Sequence, residues 1–138
     1  MRNQNPPCLV SACLVGLCTR YDGLTKVNSS CLEQLKSLHW IPICPEQLGG
    51  LPTPRDAADI VGGNGIDVLA GKAQVVTKGG IDLTAEFILG AEQVLQIAQS
   101  QHIGTAFLKA RSPSCAVHGR IGVTAALLQS HGIRLHEF

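Results

Sequence analysis

Three short runs rich in apolar residues constrain the fold of this 138-residue chain most strongly. They occupy residues 8–14, 40–44 and 105–109, and turn-forming residues bound them. Such runs are typical of strands that are buried on both faces, and these strands occur in parallel sheets covered by helices. A mainly parallel sheet is therefore expected at the centre of the fold.

Helical periodicity fills the longer intervals between the runs. Helices are predicted from Ser29 or Ser30, either of which can act as the N-cap, to Leu38, and over residues 84–101 and 123–130. A β-hairpin is predicted between residues 66–69 and 73–77, a last strand at residues 133–136, and irregular chain over residues 46–64.

The alternation of strands and helices predicts an α/β fold for the whole chain. We expect residues 1–138 to form a single domain with a mainly parallel sheet, helices on both faces and a small β-hairpin. This architecture is Rossmann-like or flavodoxin-like. Ligands in such sheets bind beyond the carboxyl ends of the strands.

Three of the six cysteines lie at those strand ends. Cys13 ends the first strand, Cys44 ends the second and Cys115 follows the third, so their thiols are expected to meet at one edge of the sheet. Thiolates are soft ligands that favour zinc, copper(I) and iron–sulfur clusters. Three protein ligands leave one metal position open for substrate, whereas four close the site.

The redox state of the cysteines depends on the cellular compartment, which the sequence also predicts. Only three apolar residues follow Pro6-Pro7 before Ser11, too few for the apolar region of about 7–15 residues in a signal peptide. No stretch reaches the roughly 20 apolar residues of a membrane span. We therefore expect a cytoplasmic protein with reduced thiols and no membrane contact.

Cys8 and Cys31 are expected to be buried packing groups, and Cys18 lies near the site without a strand-end position.

Four sequence blocks run in order along nearly the whole chain. They are VSACLVG with CTRYDG at residues 10–23, PICPEQLGGLPTPR at residues 42–55, LKARSPSC at residues 108–115 and GVTAALL at residues 122–128. Together these blocks resemble a bacterial family long catalogued as a domain of unknown function, some of whose members are iron–sulfur-dependent thiouracil desulfurases.

This resemblance implies a cofactor and an activity. The cofactor is a 4Fe–4S cluster held by Cys13, Cys44 and Cys115, with one iron that no protein side chain ligates and that is open to substrate sulfur. The activity is replacement of sulfur by oxygen on a thiolated pyrimidine, which is thiouracil or thiouridine, free or within tRNA. The implied partner is thus a small thiopyrimidine or a thiolated tRNA.

The resemblance also implies two catalytic residues, Glu46 and Ser112. A carboxylate beside the cluster could activate water, and a hydroxyl could bind the ring or help to move a proton. Each residue has an ordinary structural alternative. Glu46 could cap backbone amides, and Ser112, which precedes Pro113, could stabilise a turn.

Other interpretations stay open at this point. A non-catalytic metal- or cluster-binding protein would use the same cysteines, and a cluster-free enzyme would pair Cys115 with His118. The cations that flank the cysteine loops either solvate those loops or attract an anionic substrate or a tRNA phosphate; they are Arg20, Arg55, Lys109 and Arg111. Residues 116–121 are fewer than in the resembled family and lack its Tyr-Asp-Gly, so one pocket wall is expected to differ.

Overall fold

Strands and helices alternate along residues 6–138, the part of the chain that this computed structural model describes. In chain order the elements are β1 (Cys8–Ser11), α1 (Ser29–Leu35), β2 (Trp40–Ile43), α2 (Pro45–Leu48), β3 (Ala58–Val61), α3 (Gly65–Leu69), β4 (Gln74–Thr77), α4 (Thr84–Ser100), β5 (Thr105–Leu108), α5 (Val123–Ser130) and β6 (Arg134–Glu137). The predicted α/β fold is confirmed. The predicted domain of residues 1–138 also includes residues 1–5, which lie outside the described residues.

A four-stranded parallel sheet forms the centre of the fold, in the order β2-β1-β5-β6. The chain first adds β2 on one side of β1 and then returns to add β5 and β6 on the other side. The direction of the connections therefore reverses between β1 and β5, which is the switch point where doubly wound sheets place their ligands.

Helices cover both faces of this sheet, as the apolar strands require. All four residues of β1 are buried, and neighbouring side chains point to opposite faces. Val10 packs in one core cluster with Cys31 and Leu35 of α1. Leu9 packs in another with residues of α4 and α5, among them Val94. The central strand is thus fixed from both sides.

The first predicted strand and helix are shorter than the apolar pattern suggested. β1 ends at Ser11, and Ala12–Val15 form one turn of 3-10 helix. The N-cap of α1 is Asn28 rather than Ser29 or Ser30, because the Asn28 side chain accepts a hydrogen bond of 2.9 Å from the Cys31 amide. Leu38 lies beyond the helix and is exposed.

The predicted hairpin is wrong in one of its strands. Residues 66–69 belong to α3, since Asn64 and Asp67 form a reciprocal capping box that starts a helix there. β4 pairs antiparallel with β3 instead, in a segment that the sequence indicated to be irregular. The small antiparallel pair exists, but a helix rather than a tight turn joins its strands.

Across residues 6–138, the helices are all too short or too polar to cross a membrane.

Candidate active site

A cavity of about 380 Å³ opens at the carboxyl edge of the parallel sheet, at the switch point between β1 and β5. Its wall contains Cys13 from the turn after β1, Cys44 from the residue after β2, and Cys115 from the loop after β5. Glu46 and Ser112 line the same cavity. The five residues that the sequence singled out are therefore brought together in one place.

Cys13 is presented by the 3-10 turn that follows β1. Its carbonyl oxygen accepts hydrogen bonds from the Lys26 amide at 3.0 Å and from the Thr25 hydroxyl at 2.9 Å. These contacts tie the turn to the segment that precedes α1. The thiol is largely buried against the core beneath α1.

Cys115 is held by a loop that rests on the N-terminus of α5. The Ser112 hydroxyl oxygen accepts hydrogen bonds from the amides of Ser114 at 3.2 Å and Cys115 at 3.0 Å. The loop carbonyls of Pro113 and Ser114 accept in turn from the first amides of α5. Ser112 therefore stabilises a turn, which was the structural alternative to a catalytic role, and this turn lies at the cavity wall.

Close backbone contact fixes the same loop from behind. A Cβ atom on Gly122 would overlap the backbone of Ser114 and approach the Cys115 amide within 2.8 Å. The Gly122 amide also donates to the Ala116 carbonyl at 2.8 Å. The position of Cys115 thus depends on the absence of a side chain at Gly122.

Cys44 is the N-cap residue of α2, and Glu46 lies in the first turn of this helix. The helix packs closely on α4, because Cβ atoms on Gly49 and Gly90 would overlap backbone atoms of the opposite helix. α4 is the longest helix and begins at Thr84, as its periodicity predicted. The long helix therefore sets the position of the short one that carries Glu46.

Burial makes two of the three thiols harder to deprotonate. Desolvation raises the pKa of Cys13 above its usual range and raises the pKa of Cys115 to about 12. The Ser11 hydroxyl opposes this rise by hydrogen bonding to Cys115, and charge on Cys44 would add to it. Since thiolates are the metal ligands, loading of this site must release protons.

Both carboxylate oxygens of Glu46 have partners. Oε1 accepts a hydrogen bond of 2.9 Å from Nε of Arg55, and Oε2 accepts one of 3.1 Å from the Ser114 hydroxyl. The side chains of Glu46 and Arg55 are only 16% and 6% exposed. The carboxylate is therefore held through both of its oxygens, and each oxygen keeps a lone pair that can accept a hydrogen bond from a ligand.

Several cations surround the cavity mouth. Arg20 pairs with Asp22 at 3.2 Å, whereas Lys26, Lys109 and Arg111 form no ion pair among the described residues. Burial lowers the pKa of Lys109, and the neighbouring cations lower it further. Positive charge is thus concentrated at this mouth on a chain whose formal net charge is only +1.

The other candidates lie elsewhere. Cys8 and Cys31 are buried with α1 in the core, as predicted for packing groups. Cys18 and His118 are exposed and do not line the cavity. The amides of Val117 and His118 donate to the Glu137 carboxylate at 2.7 and 2.9 Å, and this contact anchors the short segment of residues 116–121.

Sequence reasoning missed three residues of this site. The sequence assigns no role to Ser11 or Ser114, and it groups Arg55 with the loop cations although the Arg55 side chain is only 6% exposed and bonded internally. All three lie within the sequence blocks, at residues 10–23, 42–55 and 108–115, and this position was their one signal of a role in the site.

The donor chemistry of the cavity suits a cluster. Three soft sulfur donors stand around a space within the range of about 300–1,000 Å³ that small-molecule sites occupy. Within residues 6–138, no three His, Cys, Asp or Glu side chains are close enough together to hold a single metal ion. The three cysteines thus share the wall of one cavity without forming a site for a single ion.

Known proteins with the same sequence pattern match this chain over most of its length. The sequence model of the 2-thiouracil desulfurase family matches residues 8–137. The uncharacterized protein YbbK of Bacillus subtilis (strain 168) is 38% identical in an alignment 139 positions long that covers 92% of each chain. The solved structure of the [4Fe-4S]-dependent thiouracil desulfidase TudS superposes with a TM-score of 0.82 at 38% identity, over 96% of this chain and 91% of that one.

Proposed function

The chain belongs to the 2-thiouracil desulfurase family, and from that premise we propose that it is an iron–sulfur desulfurase of thiolated pyrimidines. The reaction consumes the thiocarbonyl compound and water, and it yields the oxo-pyrimidine and hydrogen sulfide without net oxidation or reduction. The observation that carries this proposal is the meeting of Cys13, Cys44, Cys115 and Glu46 in one cavity. TudS, which shares the fold, is a [4Fe-4S]-dependent thiouracil desulfidase.

Cys13, Cys44 and Cys115 would hold the 4Fe–4S cluster through three of its irons. The fourth iron would have no cysteine ligand, since among residues 6–138 no cysteine besides these three lines the cavity. When bound, the cluster supplies a Lewis acid that withdraws charge from the C=S carbon.

Glu46 would take the proton of the attacking water. Arg55 and Ser114 hold its two oxygens in place, so the carboxylate presents its remaining lone pairs in a fixed direction. A base that is oriented in advance needs no rearrangement when water arrives.

Ser112 would serve both the cluster and the substrate. Its oxygen accepts the two amide hydrogens that shape the Cys115 loop, and its own hydroxyl proton stays available for a third bond. That proton can be donated to a ring nitrogen or oxygen in the cavity. The same side chain would therefore set the position of the ligand Cys115 and orient the pyrimidine ring of the substrate.

The charge at the cavity mouth supports an anionic substrate. Lys26, Lys109 and Arg111 attract either a thiolated pyrimidine that carries negative charge or the phosphates of a thiolated tRNA. We further infer that the chain acts as a single α/β domain in the cytoplasm, where thiols remain reduced.

An anaerobic activity panel tests this function. The protein is loaded with iron and sulfide and incubated with 2-thiouracil, with thiouridine and with thiolated tRNA, while sulfide and the oxo-product are measured. Sulfide release from at least one thiopyrimidine, absent in Cys115→Ser, is expected. A loaded protein that converts none of them would make this chain a cluster-binding protein without this activity.

A further inference from the structure

We infer that Arg55 is a positioning residue of the cluster site, since its guanidinium holds Glu46 on one side and the sulfur of Cys44 on the other. The inference rests on the proposed function, because it assigns Arg55 to the same cluster and the same base. Arg55 stands at the end of the loop after α2, eleven residues beyond Cys44.

Every N–H of the guanidinium has an acceptor. Nε donates to Oε1 of Glu46 at 2.9 Å, and Nη1 donates to the Pro52 carbonyl at 3.2 Å and to the Thr53 hydroxyl at 2.8 Å. Nη2 donates to the Thr19 carbonyl at 2.9 Å and lies 4.0 Å from the sulfur of Cys44. A guanidinium has five such hydrogens, so none is left for a substrate anion.

The backbone of Arg55 strengthens the same link. Its amide donates to the Tyr21 carbonyl at 2.8 Å, so side chain and main chain both bind the segment of residues 19–21. This segment lines the cavity together with Cys44 and Glu46. Arg55 therefore ties three separate parts of the cavity wall to each other.

The contact with Cys44 is arranged for a thiolate. In the metal-free site the Cys44 thiol donates to the Thr19 carbonyl at 3.7 Å, and Arg55 donates to that same carbonyl. Once metal binding removes the thiol proton, Thr19 keeps Arg55 as its donor. The second Nη2 hydrogen then faces a negatively charged sulfur, which is the stronger acceptor.

A buried cation that hydrogen-bonds a ligand sulfur has a measurable effect on a cluster. Net charge and hydrogen bonds to the sulfurs help to set the reduction potential of an iron–sulfur centre. A positive charge favours the reduced, more negative form, so its removal shifts the potential in the negative direction. If Arg55 only filled space, the clusters that still assemble in a variant without it would keep the wild-type reduction potential.

Arg55→Gln and Arg55→Lys test the inference, with Arg120→Gln as the matched control. Arg120 also forms an ion pair and a backbone hydrogen bond, but it lies outside the cavity wall. Each variant is loaded with cluster anaerobically, and iron per chain, midpoint potential, kcat and KM are measured. The same arginine change is repeated in a Glu46→Gln background.

In Arg55→Gln we expect a potential more negative than that of the wild type and a kcat lower by about 10–100-fold per loaded cluster, the usual scale for partners of metal ligands. KM should change less than kcat, because Arg55 does not meet the substrate. In the Glu46→Gln background the added loss should be under about threefold, since both changes affect the same base. Arg120→Gln should match the wild type.

Wild-type potential and kcat in a loaded Arg55→Gln would overturn the inference, as would a loss of activity that follows iron loss alone. If that variant does not fold, Arg55→Lys decides, because an ammonium cannot reach Glu46 and Cys44 together. A wild-type potential together with a wild-type kcat in the lysine variant would then overturn the inference. A loaded wild type without activity removes the proposed function, and the potentials still decide the role of Arg55. A wild type that takes up no cluster overturns both.

Discussion

Replacing Glu46 by glutamine separates the chemical step from cluster assembly. The amide is close in size and shape to the carboxylate, and its oxygen can still accept from Nε of Arg55. Its NH2 group can donate to the Ser114 hydroxyl oxygen, so both existing partners are kept. The cavity wall should therefore survive the change while the proton acceptor is lost.

The magnitudes follow from these contacts. Loss of a general base costs about 100-fold or more in turnover, which corresponds to about 2.7 kcal/mol in the activation barrier. The free energy of unfolding should fall by about 1–3 kcal/mol, because a charged hydrogen bond to a nearly buried Arg55 becomes a neutral one. The kinetic loss and the stability loss are measured independently.

The assay compares anaerobically loaded variants by iron content, thermal unfolding and sulfide release from 2-thiouracil. Glu33→Gln is the matched control, since it breaks an exposed ion pair with Lys36 and Glu33 does not line the cavity. Full iron with about 1% of wild-type turnover is expected for Glu46→Gln, and unchanged turnover for the control. Near-normal turnover in the loaded Glu46 variant would refute the base assignment. Loss of iron would show that Glu46 holds the site together instead.

Three further results are expected. Serine at Cys13, Cys44 or Cys115 should abolish stable 4Fe–4S binding. Cys8→Ser and Cys31→Ser should keep the iron and lower the free energy of unfolding by about 1–3 kcal/mol. Iron loss in the Cys31 variant would show that the ligand set is wrong. Gly122→Ala should lower iron content because its Cβ would displace the Cys115 loop, and normal loading would show that the loop adapts. Unfolding of the metal-free protein should become easier as pH rises from about 9 towards about 12, because the folded state holds the proton of Cys115 more tightly than the unfolded chain; a flat profile in that window contradicts this.

Much of the fold could be predicted from apolar periodicity. The parallel strands and α4 are long or apolar enough to show their character locally, and α5 has the bounds that its pattern predicted. Residues 58–69 were assigned wrongly because a short helix and a short strand differ little in apolar content. The Asn64–Asp67 capping box, three residues apart, was the local signal that would have identified α3.

The site was predictable in composition but not in its internal contacts. Strand ends and sequence blocks indicated the three cysteines, Glu46 and Ser112, and the structure places all five on one cavity. The partners of these residues come from distant segments: Ser114 meets Glu46 across 68 positions, and Ser11, on the same cavity wall, bonds the Lys109 amide across 98. Such contacts depend on how the loops pack on α4 and α5. No spacing in the sequence encodes them.

The central claim is that a cluster held by three cysteines carries out desulfuration in this cavity. The most direct test is turnover of 2-thiouracil against cluster content, with the protein loaded anaerobically to graded extents. The account predicts a straight line through the origin, with four irons per active chain at full loading, and no activity at any loading when Cys13, Cys44 and Cys115 are all changed to serine. Turnover by iron-free protein, or by the triple variant, would contradict it.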